Sequence, residues 1–239
     1  MKKFLATILC FLIGSPLCLA AGAAEEIDYK LSYSYFHTQS IHANDINLRA
    51  GKNDQYLWLA AYQEDPSDFN QVRAGYERTD RFEYLKLVSS LQLATHGFIG
   101  GGINAEIGSP FYAIVGYGRT NLKPYNNLNF DPNDSFTLGA GWHVNPATNV
   151  SLYGVQDNRV VDRQRITHLV ISGALTNEQK LIMDLFNKSG PPDNQGQSIH
   201  GVGASLTYDI HQYFVRLAYD PKVNFTQDNM TRISLGLHF

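Results

Sequence analysis

The sequence predicts an all-β fold, a transmembrane antiparallel up-and-down β-barrel of 12–14 strands built as a single domain. Three observations carry this. Almost every segment alternates apolar and polar residues, the period of a strand whose successive side chains point to opposite faces. Turn-forming residues recur every ten to fifteen positions. No apolar run after Ile13 approaches the 18 residues that mark a membrane helix.

The elements follow in order. Ile27, Tyr29, Leu31, Tyr33 and Tyr35 alternate with Asp28, Lys30, Ser32 and Ser34. Ile46, Leu48 and Ala50 alternate with Asp45, Asn47 and Arg49, and Val72, Ala74 and Tyr76 with Arg73, Gly75 and Glu77. The same pattern returns at Ile99–Ile107, Phe136–Val144, Gly201–Tyr208, Tyr213–Tyr219 and Arg232–Phe239. Tyr56–Tyr62, Phe111–Tyr117 and Leu181–Phe186 are apolar on both faces or mixed, as for strands packed against lipid outside and side chains or a plug inside. Strands are expected at 27–37, 43–51, 54–63, 69–78, 83–94, 98–107, 110–118, 135–143, 149–157, 164–174, 179–188, 198–208, 212–220 and 230–239. That is fourteen, and merging one doubtful hairpin around the short Thr95-His96-Gly97 connection gives twelve.

A soluble sandwich also alternates, with its apolar face turned to a packed core. Here the polar face is rich in Gly, Ser, Thr and Asn with isolated charges, which suits a lumen. The apolar face carries Tyr, Trp and Phe near strand ends, which suits aromatic girdles at two membrane interfaces.

Both ends of the chain agree. Lys2 and Lys3, the apolar run Phe4–Ile13 and the small residues before Ala20 form a secretory signal peptide over residues 1–20, with cleavage as late as residue 23, leaving 21–239 as the barrel domain. Cys10 and Cys18, the only cysteines, lie in that segment, so the exported chain has no disulfide, thiolate metal site or cysteine nucleophile. Removing Lys2 and Lys3 leaves 17 basic against 22 acidic residues, a net of −5, which excludes a nucleic-acid-binding balance. The last strand places Ile233, Leu235, Leu237 and Phe239 on one face and Arg232, Ser234, Gly236 and His238 on the other. With the signal peptide, this closing strand resembles that of the Gram-negative, proteobacterial outer-membrane β-barrel proteins. The resemblance implies an outer-membrane location. It also implies partners: phospholipid, lipopolysaccharide, periplasmic chaperones and the barrel-assembly machinery. No cofactor is implied.

The polar faces supply the pore-lining candidates Lys30, Arg49, Arg73, Glu77, Glu106, Arg216 and Arg232, with Asp28 and Asp45 beside them. They select solutes if the lumen is open, or pair and rigidify it if closed, with Glu106 or Asp28 as partners for Arg216 and Arg232. The longest connection, 119–134, is either a constriction loop folded into the mouth or an ordered surface loop, and the second is preferred. Asp131, Asn133 and Asp134 lack the ligand pattern of a calcium loop, so no metal is expected. The expected function is a small passive pore or a structural surface barrel. The alternative is a lipid-modifying acyl hydrolase or transferase. The Ser and His neighbours weighed for it are Ser198 with His200 and His168 with Ser172, neither in a recognisable catalytic motif, so no catalytic residue is assigned.

Overall fold

A computed structural model describes residues 27–127, 131–192 and 197–239. The expected signal peptide, residues 1–20, lies outside the described residues, as do 128–130 of the long loop and 193–196. The described residues form one closed antiparallel sheet of fourteen strands, each paired with its sequence neighbours. They are β1 (Asp28–His37), β2 (His42–Lys52), β3 (Gln55–Asp65), β4 (Asn70–Arg81), β5 (Leu85–Ala94), β6 (Phe98–Ile107) and β7 (Phe111–Thr120). β8 (Ser135–Asn145), β9 (Thr148–Asp157), β10 (Arg165–Thr176), β11 (Gln179–Gly190), β12 (Ile199–Ile210), β13 (Tyr213–Asp220) and β14 (Met230–His238) complete the ring. The twelve-strand alternative therefore falls. The doubtful connection at Thr95–Gly97 is a single 3-10 turn joining β5 to β6, with His96 and Gly97 at φ +67° and +78°.

β1 closes on β14 in continuous register from Lys30↔His238 to His37↔Thr231. The seam ends in two backbone hydrogen bonds between Tyr29 and Phe239, 2.9 Å each, whose rings stack at 5.5 Å. Connections at this end of the barrel span two or three residues, 53–54, 82–84, 108–110, 146–147, 177–178 and 211–212. The other end carries the longer loops, notably 121–134, 158–164, 191–198 and 221–229.

The two faces separate as the alternation predicts. Leu57, Leu138, Leu152, Val202 and Leu235 point outward, more than half exposed. Aromatic rings flank that aliphatic band, with Tyr29, Phe111, Trp142 and Tyr213 near the turn end and Tyr35, Tyr117, Phe136 and Tyr219 near the loop end. Phe111 stacks on Trp142 directly across the strand pair at 5.4 Å, and Tyr117 packs on Phe136 at 5.1 Å. An uncovered apolar belt between aromatic girdles suits lipid on the outside. Among the described residues no helix is long and apolar enough to cross a membrane.

The inward face has its own packing device. Six inward aromatics sit directly across the strand pair from a glycine: Tyr56 from Gly51, Trp58 from Gly75, Tyr112 from Gly141, Tyr153 from Gly139, Phe186 from Gly203 and Phe214 from Gly236. A Cβ at any of these glycines would collide with its partner residue. All but the Tyr153 ring thus lie against the wall instead of projecting into the lumen, the aromatic rescue of glycine known from strand pairs. This accounts for Tyr56–Tyr62 being apolar on both faces.

Candidate functional site

Fourteen strands enclose more room than the eight at which side chains just fill a barrel. How that room is used depends on two loops. The first is 121–134. Gln71 of β4 donates to the Pro124 carbonyl at 2.9 Å and accepts from the Asn126 N–H at 2.9 Å. Arg73, also on β4, donates to the Asn126 carbonyl at 2.7 Å. Tyr125 stacks on the inward ring of Phe98 at 4.1 Å. Farther along, the Asp131 carboxylate lies 3.0 Å from His168 Nε2 on β10. β4 and β10 are six strands apart in a ring of fourteen, so this loop holds nearly opposite walls. Asn127 then steadies its return, donating to the Asp131 carbonyl and the Asn133 side chain. The preferred reading of an ordered surface loop is therefore corrected. The backbone groups of Pro124 and Asn126 and the Asp131 carboxylate satisfy lumen side chains, and the described residues of the loop, 121–127 and 131–134, turn inward as a partition.

Asp134 anchors the loop's exit at the mouth. It accepts from the Thr120 hydroxyl and N–H, from Arg159 at 3.1 Å and from Arg119 at 3.5 Å. Burial alone would raise its carboxyl, but these bonds to the charged form outweigh burial and hold it below the usual carboxylate range. Asp131, Asn133 and Asp134 serve three different partners and do not converge, and no metal-holding cluster occurs among the described residues.

The second loop, 221–229, drops Val223 and Phe225 into the mouth. Val223 joins Phe36, Ala43, Tyr62 and Met230 in one apolar cluster, and Phe225 joins Ile166, Ile199 and Phe186 in another. Beneath this cap, Lys188 donates to Asp220 at 2.7 Å and to the Lys222 carbonyl at 3.1 Å, with both partners of the ion pair essentially sealed from solvent. Arg73 pairs with Asp45 in the same packed half.

Two cavities lie beside these loops. One, about 440 Å³, follows the wall of β5–β9 from Lys86, Glu106 and Asn149 near the turn end to Asn127, Asn133 and Ser135 near the loop end. The other, about 290 Å³, lies against β10–β14 between Arg216, Thr207 and Asp184 below and Ile166, Asp220 and Met230 above. Because Ile166 and Met230 belong to the apolar clusters completed by Phe225 and Val223, the second cavity is capped on the loop side. Asp131 and Tyr153 line both, which places the partition between them.

All seven pore-lining candidates lie on inward faces, but not on one surface. Arg49 pairs with Glu77 at 2.7 Å, and its guanidinium sits over the Tyr56 ring. Lys30 lies over Phe214 at 4.0 Å. Arg216 and Arg232 line the capped cavity. Only Glu106 faces the larger one. Glu106 is not a partner for Arg216 or Arg232 as the sequence suggested, because Lys86 on the adjacent strand takes it at 2.8 Å. Lys86, His168, Asp184, Lys188 and Asp220 were missed. Lys86 follows a run with weak alternation, His168 meets Asp184 only once the β10–β11 register is set, and Lys188 meets Asp220 two strands away.

The hydrolase candidates do not assemble. His200 points outward, while the Ser198 hydroxyl donates to the Gly190 carbonyl. Both ring nitrogens of His168 face carboxylates, Asp131 and Asp184, leaving none to take a proton from Ser172.

No family model matches the chain, and no curated protein matches it. Solved structures do. Omp33, an outer membrane protein of Acinetobacter baumannii, is 11% identical, with 90% of this chain and 99% of that one covered at a TM-score of 0.57. The NanC porin overlaps at 0.49 (9% identity, 87% and 98% covered) and the KdgM porin at 0.47 (10%, 88% and 98%), too loosely to guide any residue. The likeness to Omp33 is one of fold, an outer-membrane β-barrel.

Proposed function

We propose that the protein is a passive pore of the Gram-negative outer membrane, delivered there by the N-terminal signal peptide, periplasmic chaperones and the barrel-assembly machinery, and seated among phospholipid and lipopolysaccharide. The observation that carries this reading is the larger cavity. It runs beside the partition from turn-end to loop-end side chains, lined mainly by polar groups with Val88, Ile114 and Val155 among them, along a wall that inward glycines keep thin. A barrel serving only as a surface scaffold gains nothing from a polar void of about 440 Å³, since unfilled space forfeits packing. The test is a planar lipid bilayer containing the refolded barrel. Discrete, long-lived conductance steps are expected. A correctly folded barrel that stays silent would contradict the reading.

A further inference from the structure

The two halves of the lumen differ in chemistry as well as width, and that difference bears on what passes. Resting on the pore reading, we infer that the β5–β9 passage serves small uncharged polyhydroxylated solutes, of the size and chemistry of a monosaccharide, and that the charged side chains of the other half take no part in selection. The cavity is lined by amides and hydroxyls, among them Gln92, Asn104, Thr137 and Asn149, with the ring of Tyr112 held flat against the wall. Amides offer both donors and acceptors, matching alcohol hydroxyls without favouring either charge. An apolar ring face beside them suits the CH faces of a sugar.

Only three charged groups line the passage, and none is left without a partner. Lys86 and Glu106 hold each other at 2.8 Å, and Asp131 lies 3.0 Å from His168, which it shares with Asp184. An ion entering a narrow lumen without uncompensated counter-charge gives up hydration that nothing there replaces. A neutral polyol gives up only hydrogen bonds that the wall returns. Width comes from inward glycines on three adjacent strands: Gly100, Gly102 and Gly118 line the cavity, and Gly141 lets the Tyr112 ring lie flat. The strongly cationic groups, Arg216 and Arg232, lie across the partition in the capped cavity.

The test combines two measurements on the refolded full barrel. In liposome swelling, glucose should enter faster than gluconate or glucosamine of similar size by on the order of tenfold, a barrier difference of about 1.4 kcal/mol. In a salt gradient across a planar bilayer, the reversal potential should lie near zero. Lys86→Ala, which strips Glu106 of its partner in the passage, should move that potential towards cation preference, while Arg216→Gln leaves it in place. Heat-modifiable gel mobility confirms that each variant is folded. A conducting wild-type barrel with strong ion selectivity, or one whose selectivity follows Arg216 and ignores Lys86, would overturn the assignment while leaving the pore intact. Absence of both conductance and swelling would overturn the pore itself.

Discussion

The lumen behind β5–β9 and the lumen behind β10–β14 are built from the same kind of alternating strand, yet one is open and the other filled. On the open side many inward residues are short, and six of them on β6–β8 are glycine. On the filled side Phe36, Tyr62, Ile166, Phe186 and Ile199 meet Val223 and Phe225 dropped in from the 221–229 loop. The ion pairs follow the same division. Lys86–Glu106 is about a third exposed, whereas Lys188–Asp220 is sealed. Barrel geometry sets only the circumference. What the lumen does is decided by the bulk of inward residues and by which loops turn in.

The sharpest way to break this comparison is to remove one partner from each pair. Lys188→Ala should cost about 3–5 kcal/mol, because a buried charge left alone is not compensated. Replacing Lys188 by Met together with Asp220 by Leu should recover most of that loss. Lys86→Ala, in the wetter half, should cost no more than about 1 kcal/mol. Urea titration of the barrel in lipid vesicles reads all three, and equal costs for Lys188→Ala and Lys86→Ala would erase the distinction.

Lipid and open lumen can be contrasted in the same way. Leu235→Arg sets a charge on the lipid-facing belt and should cost about 2–4 kcal/mol if its position is near the bilayer midplane. Ser90→Arg on the open side should be nearly silent in stability. Ser234, polar and beside Leu235 in sequence, is not the permissive site its polarity suggests. It is buried, shares a 2.7 Å hydrogen bond with Ser34, and stands opposite Arg216. Vesicle unfolding again decides, and a Ser90→Arg penalty matching that of Leu235→Arg would mean that the open half is packed after all.

Gly141→Val should drive the Tyr112 ring off the wall and into the passage. Overpacking of this kind costs about 1–3 kcal/mol, and single-channel conductance should fall. Gly203→Val, displacing Phe186 on the filled side, should cost stability without changing conductance. A conductance drop in both variants would place the route elsewhere.

The smallest expected effect concerns the loop anchor. Asp134 is held below its ordinary value, so its bonds to Thr120, Arg119 and Arg159 stabilise the folded loop above the unfolded carboxyl value of about 3.9 and are lost as pH falls through the lower folded value. Limited proteolysis of the 121–134 loop should be flat from neutral pH down to about 4 and increase only in stronger acid. Asp134→Asn should remove that acid step. An unchanged profile would show that the anchor lies elsewhere.

Much of this was legible in the sequence. The parity of Lys30, Arg49, Glu77 and Arg232 follows from alternation alone, since neighbouring residues on a strand must face opposite sides. Turn spacing bounded the strand number at twelve to fourteen. The division of the lumen was not legible, because it depends on which strands lie opposite across the ring. Gln71 reads as an ordinary polar residue and His168 as a hydrolase candidate until Pro124 and Asp131 are brought to them from a loop fifty or so residues from the one and nearly forty from the other. Val223 and Phe225 sit in a turn-rich segment with no periodicity to betray that they point inward. The glycine–aromatic pairs were visible as composition, a Gly-rich polar face, but their meaning requires the register that sets Tyr112 against Gly141.

The account rests on one claim, that solute moves along β5–β9 and not along β10–β14. Cys10 and Cys18 are the only cysteines and precede the barrel, so single cysteines can be placed at Ser90 and Ser205, near-isosteric changes on the two walls. The direct measurement is single-channel conductance before and after a bulky, uncharged thiol-reactive reagent is added to each folded variant. The expected result is stepwise block of Ser90→Cys and unchanged conductance in Ser205→Cys. Block at Ser205 with continued conduction at Ser90 would contradict the divided lumen.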